Sequence, residues 1–163
     1  MLKKFCFFLC LLYLSFAFAS CGKGGMFLEC LDKDFVCQIE GKIGDTSFCA
    51  TLYGNGRIVY SAPKELVGIL ACEDGKTISV EGVAFDGKAL PGFFVPARLL
   101  CDRFETLGSG TETHEGGLCY VDGSSPNGNR RVFVAKDGTP CRVSGNVFGI
   151  SADFSIKNFQ NTA

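Results

Sequence analysis

The sequence predicts an antiparallel α+β domain, on three observations. Apolar and polar residues alternate over short runs from Phe35 onward. Gly, Asp and Asn clusters punctuate those runs at turn spacing. A single segment, Val95 to Leu107, changes to helical period. Strands followed by one helix and then more strands give this class. The 21 glycines, 16 phenylalanines and absence of tryptophan suit strands joined by tight turns.

Before the domain, Lys3 and Lys4 precede Phe5 to Ala19, a run without charge. A basic start and an apolar stretch form a secretory signal, and the run is short of the ~20 residues that span a bilayer. Two cleavage readings compete. Ala17-Phe18-Ala19 fits ordinary signal peptidase, and Phe18-Ala19-Ser20-Cys21 resembles a bacterial lipobox. The lipobox reading makes residues 1–20 the signal peptide. It puts a diacylglyceryl group on the Cys21 thiol and leaves residues 21–34 as a flexible tether. Two acyl chains would anchor firmly, at ~0.8 kcal/mol for each buried methylene. The expected location is extracytoplasmic, at the bacterial cell membrane, with plain secretion as the alternative.

The first strand is read at Phe35–Ile43, where residues 35, 37 and 39 oppose 38, 40 and 42. Gly44-Asp45 turns the chain into Thr46–Tyr53, and Gly54-Asn55-Gly56 returns it along 57–61. Pro63 ends that strand, since it cannot donate to a ladder. Val67–Cys72 and Thr77–Glu81 flank the Glu73–Lys76 turn, and 82–85 extends the second of them past a bulge. In 95–107, Pro96 suits a first helical turn and Gly108 a helix stop. The expectation is three turns, with Leu99, Leu100, Phe104 and Leu107 pressed on the sheet. Ser109 to Gly117 reads as a polar loop. Strands resume at 118–121, 130–135, 140–144 and 151–159.

Composition excludes some functions. The 16 basic residues less Lys3 and Lys4, against 17 acidic ones, leave a net charge of −3. No basic stripe is present, which argues against nucleic acid. Of ten cysteines, Cys6 and Cys10 lie in the signal, and no Cys-x-x-Cys occurs. The others sit at apolar positions and read as small core residues or as disulfide halves. His114, between Glu112 and Glu115, reads as solvated in a glycine-rich loop rather than as a metal ligand. Asp74, Asp86, Asp122 and Asp137 each precede Gly and read as turn formers. No phosphate loop or nucleophile elbow is present. The expectation is a non-enzymatic protein without cofactor or metal.

Several stretches carry a resemblance. A strand enters Pro63 with Leu66 and Gly68 after it. Asp74-Gly75 is an acidic turn, and Leu90-Pro91 leads to the leucine-rich segment. Asp137-Gly138-Thr139-Pro140 is a turn, and Ala152–Ile156 closes the order. Over residues 35–159 this resembles the lipoprotein-localisation-factor (LolA/LolB-like) domain of small Gram-positive-type lipoproteins. The resemblance implies a strongly curved, incomplete β-barrel, a half-barrel, with one amphipathic helix on its concave face. It also implies a lipid or other hydrophobic ligand there. Candidate liners are Ile58, Tyr60, Ile69, Leu99, Leu100, Phe104, Phe133 and Phe154. Only about ten residues, Gly25 to Asp34, precede the first strand, so little room remains for a covering N-terminal helix and the cavity would be smaller and more open. The alternative is an envelope scaffold or protein-interaction domain without a ligand.

Overall fold

The computed structural model describes residue 31, residues 34–112 and residues 118–162. Cys21, the tether up to residue 30, His114 and Glu115 lie outside the described residues. The chain is mostly β. Eleven strands form one open antiparallel sheet: β1 Phe35–Ile43, β2 Thr46–Tyr53, β3 Ile58–Ala62, β4 Ile69–Ala71, β5 Thr77–Val80, β6 Val83–Asp86, β7 Glu105–Glu112, β8 Leu118–Ser125, β9 Gly128–Val134, β10 Pro140–Val147 and β11 Ile150–Asn161. An α-helix, α1, spans Val95–Cys101 among the described residues.

The order across the sheet is β6-β5-β4-β3-β2-β1-β11-β10-β9-β8-β7. The first six strands therefore meander outward from β1 to one edge, and the last five meander from the other edge back to β11. The β1–β11 seam joins the halves, with Ile39 opposite Ile156 and Gly41 opposite Phe154. The segment between β6 and β7 links the two edges. It makes short 3-10 turns at Gly87–Ala89 and Pro91–Phe94 before α1.

Strand alternation decides which face this segment covers. In β1, Phe35, Cys37 and Ile39 are buried; in β2, Phe48, Ala50 and Leu52; in β11, Ala152, Phe154 and Ile156. These side chains and Ile58, Val132 and Val143 share one core with Val95, Leu99 and Leu100 of α1. The opposite face carries cross-strand ion pairs, as a solvated antiparallel sheet should. Asp122 accepts from Arg131 at 2.7 and 2.9 Å, and Asp153 from Arg142 at 2.9 and 2.8 Å.

Five expectations are corrected. The helix stops at Cys101 rather than Leu107, because Asp102 is already extended (ψ 152°) and residues 105–112 pair with β8. Leu107 is 68 % exposed at a register shift instead of packed on the sheet. Gly110 fits the pairing with β8: the Tyr120 ring lies over it, where a Cβ would be 2.6 Å from the hydroxyl. The expected polar loop from Ser109 therefore belongs in part to β7. Residues 83–86 are a strand of their own, reversed from β5 by Glu81 and Gly82, both at positive φ. The sheet also extends to Asn161, two residues past the expected boundary.

A buried arginine fixes the end of α1. The last carbonyls of a helix lack partners within it. Arg130, 7 % exposed, donates from Nη1 to Leu99 O (2.7 Å) and Leu100 O (3.2 Å). Its guanidinium lies 4.3 Å from the centre of the Phe104 ring. Burial lowers its pKa to about 10, so it remains a cation at neutral pH.

Candidate apolar pocket

Residues at strand ends and in the crossing segment line an open pocket of about 260 Å³. Its walls are Ile43, Thr46, Phe48, Tyr60, Leu66, Leu90, Gly92 and Phe93. Phe48 and Tyr60 are inward positions of β2 and β3 and are buried. The Tyr60 hydroxyl donates to Phe93 O at 2.9 Å, holding the crossing segment over β3. The Tyr60 and Phe93 rings meet edge to face at 5.5 Å, and Phe48 lies 6.0 Å from Tyr60. Edge-to-face packing at such distances stabilises aromatic clusters. Burial raises the Tyr60 pKa well above the ordinary phenol range, so its proton stays on to make that bond. Small-molecule sites are usually ~300–1,000 Å³, so this one suits a single hydrocarbon chain or ring.

Of the eight sequence-chosen liners, Tyr60 alone is a wall of this pocket. Ile58, Leu99, Leu100 and Phe154 fill the core, and Ile69 and Phe104 pack on its margin. Phe133 is corrected: although buried, it faces away from that core. It lies on the ion-paired side, against Tyr120 (6.2 Å between rings) and under Arg142 (5.2 Å). There it borders a polar cleft of about 740 Å³ whose guanidinium groups already meet carboxylates and ring faces. Hydrocarbon would gain little there. Sequence reasoning missed Ile43, Phe48, Leu66, Leu90 and Phe93. The available signal was Phe93-Phe94 directly after Pro91-Gly92, two aromatic side chains at the start of the crossing segment.

Burial keeps the thiols of Cys37 and Cys101 protonated. No disulfide joins the described residues. Burial pushes the Cys37 thiol up to about 12, helped by Cys101, and pushes Cys101 to about 12, helped by Asp102. Thiolate, the nucleophile, is therefore scarce at neutral pH. No group of three potential metal ligands occurs among the described residues, and none of their helices is long and apolar enough to cross a membrane.

These thiols give a pH prediction. Their folded pKa lies above the unfolded value of 9.0, so the folded chain binds more protons between pH 9 and 12. Stability is full below pH 9 and falls as pH rises through that window. From pH 8 to pH 10 unfolding should become easier by about 3 kcal/mol. Urea titrations of the wild type and of Cys37→Val/Cys101→Val would check this. The double variant should lose most of the decline; an equal decline in both would refute the assignment.

The geometry defines a class: a mostly β domain with an open antiparallel sheet, a crossing segment on one face and a small apolar pocket beneath that segment. No protein-family model matches the chain, and no curated protein matches it in sequence.

Proposed function

We propose that the protein is a membrane-tethered, extracytoplasmic lipoprotein, anchored through diacylglyceryl Cys21, that holds one hydrocarbon chain of a lipid in the pocket at Phe48, Tyr60 and Phe93. The observation carrying this reading is an apolar cavity on the face bridged by the crossing segment. A half-barrel of the lipoprotein-localisation-factor kind is the finer form of the fold in this proposal. It is supported by contacts from one segment to both halves of the sheet: Phe93 to Tyr60 of β3, Cys101 to Tyr53 of β2, and Leu99 to Arg130 of β9. A sheet bent around that segment makes such contacts easily.

The test uses a fluorescent long-chain fatty acid as the probe. Gly92→Leu introduces a side chain where a Cβ would sit 4.0 Å from Ile43, with no clash. Wild type should bind the probe, and the variant should bind at least ten-fold more weakly with an unchanged melting temperature. One lost or blocked chain contact of about 1.4 kcal/mol already gives that factor. Failure of wild type to bind, or equal binding by both, would refute the pocket. A second reading, a scaffold without ligand, is favoured by the filled core around Leu99 and Phe154. Native mass spectrometry of protein from its own membrane separates the two, showing bound lipid only in the first.

A further inference from the structure

We infer that one rim of the sheet docks on a phospholipid bilayer through apolar turn residues, with Phe148 as its leading side chain. Register places five connections on the same rim: residues 44–45, 63–68, 81–82, 126–127 and 148–149. The chain pairs Ile43 with both Thr46 and Ala152, Ser125 with Gly128, and Val147 with both Gly128 and Ile150, so these ends lie together.

Exposed apolar residues gather there. Val67 is 57 % exposed, Val83 58 % and Phe148 54 %. Leu90, 53 % exposed, borders the pocket with Ile43 and Leu66 of the same rim. The turns of the opposite rim, 54–57, 73–76 and 135–139, contribute none of the large exposed apolar residues among those described, although Phe85 of edge strand β6, 54 % exposed, lies toward that rim.

Phe148 is informative beyond its exposure. It and Gly149 are the central residues of the β10–β11 hairpin, at φ 55° and 79°. Such turns favour Asn, Asp or Gly, and a bulky side chain at positive φ is strained. The turn is braced nonetheless. Phe148 N donates to Asn127 O of the neighbouring turn at 3.0 Å, and Gly149 N donates to Asn146 Oδ1 at 3.1 Å. A braced hairpin thus holds an aromatic residue that is 54 % exposed, at a conformational cost. Strain of this kind, kept where folding does not need it, marks function.

Charge and chain length choose the bilayer as occupant. The rim turns carry Asp45, Glu65 and Glu81 against Lys64, with Lys42 at the adjoining end of β1, a small acidic excess that suits a zwitterionic surface better than an anionic one. Leu31 packs against the core beside Cys101 and Phe104, and the ten residue steps from Cys21 to it reach at most ~35 Å. That exceeds the ~30 Å length of a nine-residue strand such as β1. An anchored Cys21 therefore permits this rim to face the same membrane, although β1 starts at the other rim. Docking would also open the pocket mouth at Leu66 and Leu90 onto lipid; the proposal itself rests on the turns and not on ligand binding.

The chain has no tryptophan, so a single one reports its own position. Full-length Phe148→Trp is mixed with phosphatidylcholine vesicles whose acyl chains carry bromine, a short-range quencher. Lys136→Trp, exposed at the opposite rim, is the control. Tryptophan at 148 should shift to the blue and be quenched several-fold more than tryptophan at 136. Equal quenching, or none at 148, overturns the inference. So does a blue shift at 148 that grows with protein concentration without vesicles, which would make the occupant a second copy. Phe148→Asn serves as a folding control: it should raise the melting temperature by relieving the turn. Carrying a Trp at position 83, it should show weaker bromine quenching than Val83→Trp alone.

Discussion

Arg130→Met is expected to destabilise the protein by about 3–4 kcal/mol, among the largest effects of any single substitution outside the aliphatic core. Methionine fills much of the space and avoids burying a charge, so a simple desolvation argument would predict a gain. The carbonyls decide otherwise. Leu99 O and Leu100 O end α1, and Arg130 Nη1 is a donor to both. Removing one side of a buried polar contact leaves the other side's desolvation uncompensated. The contact of the guanidinium with Phe104, which holds the chain between α1 and β7, is lost as well. Arg130→Lys should recover about half, because an ammonium can reach a carbonyl but cannot stack flat on the ring. Urea unfolding midpoints measure all three proteins. Wild-type stability in Arg130→Met would mean that water reaches both carbonyls through the adjoining cavity of about 200 Å³ at Leu31, Cys101 and Phe104.

The same region shows what was legible in the sequence. Strands at the centre of the sheet have one covered face and one polar face, so β1, β2 and β11 display period-two alternation that survives without knowledge of partners. Edge strands lack that signal. β7 is composed of Glu, Thr, Leu, Gly and Ser, and its pairing to β8 depends on Tyr120 settling over Gly110. Nothing local announces this. The helical spacing of Leu99, Leu100, Phe104 and Leu107 was misleading for a related reason: Phe104 is half-buried against Arg130, twenty-six residues away, and not by a continuing helix.

The candidate pocket was legible in one residue for a physical reason. Tyr60 sits mid-strand, where alternation assigns a face, whereas Ile43, Thr46, Leu66, Leu90 and Phe93 sit at ends and turns; Phe48 of β2 carries the same alternation signal as Tyr60, and its omission has no such reason. Phe133 exposes the limit of alternation itself. Val132, Phe133 and Val134 are all buried, so the run has no period from which to choose a face. Its orientation follows from cross-strand neighbours: Tyr120 opposite it on β8 and Arg142 opposite it on β10.

Gly41→Ala should be nearly as damaging, at about 3 kcal/mol, even though alanine suits an ordinary strand better than glycine. Gly41 has no positive φ to explain its identity. Its role is steric. It stands directly opposite Phe154 on the seam between β1 and β11. A Cβ there would overlap the Asp153 carbonyl and lie 2.5 Å from Phe154 Cα and 2.6 Å from its Cβ. Phe154 is almost fully buried, packed at 6.1 Å against Phe48, so its ring cannot swing away without opening the core. The strain therefore falls on the ladder that unites the two halves of the sheet. A double-mutant cycle with Phe154→Ala separates ring from backbone. Truncating the ring costs about 3–5 kcal/mol by itself. If ring crowding matters, Gly41→Ala should cost about 1 kcal/mol less in that background. The remainder should persist, because the Asp153 carbonyl and Phe154 Cα are still in place. Full additivity would assign the whole effect to the backbone, and a neutral Gly41→Ala would mean that the seam is looser than this close approach requires.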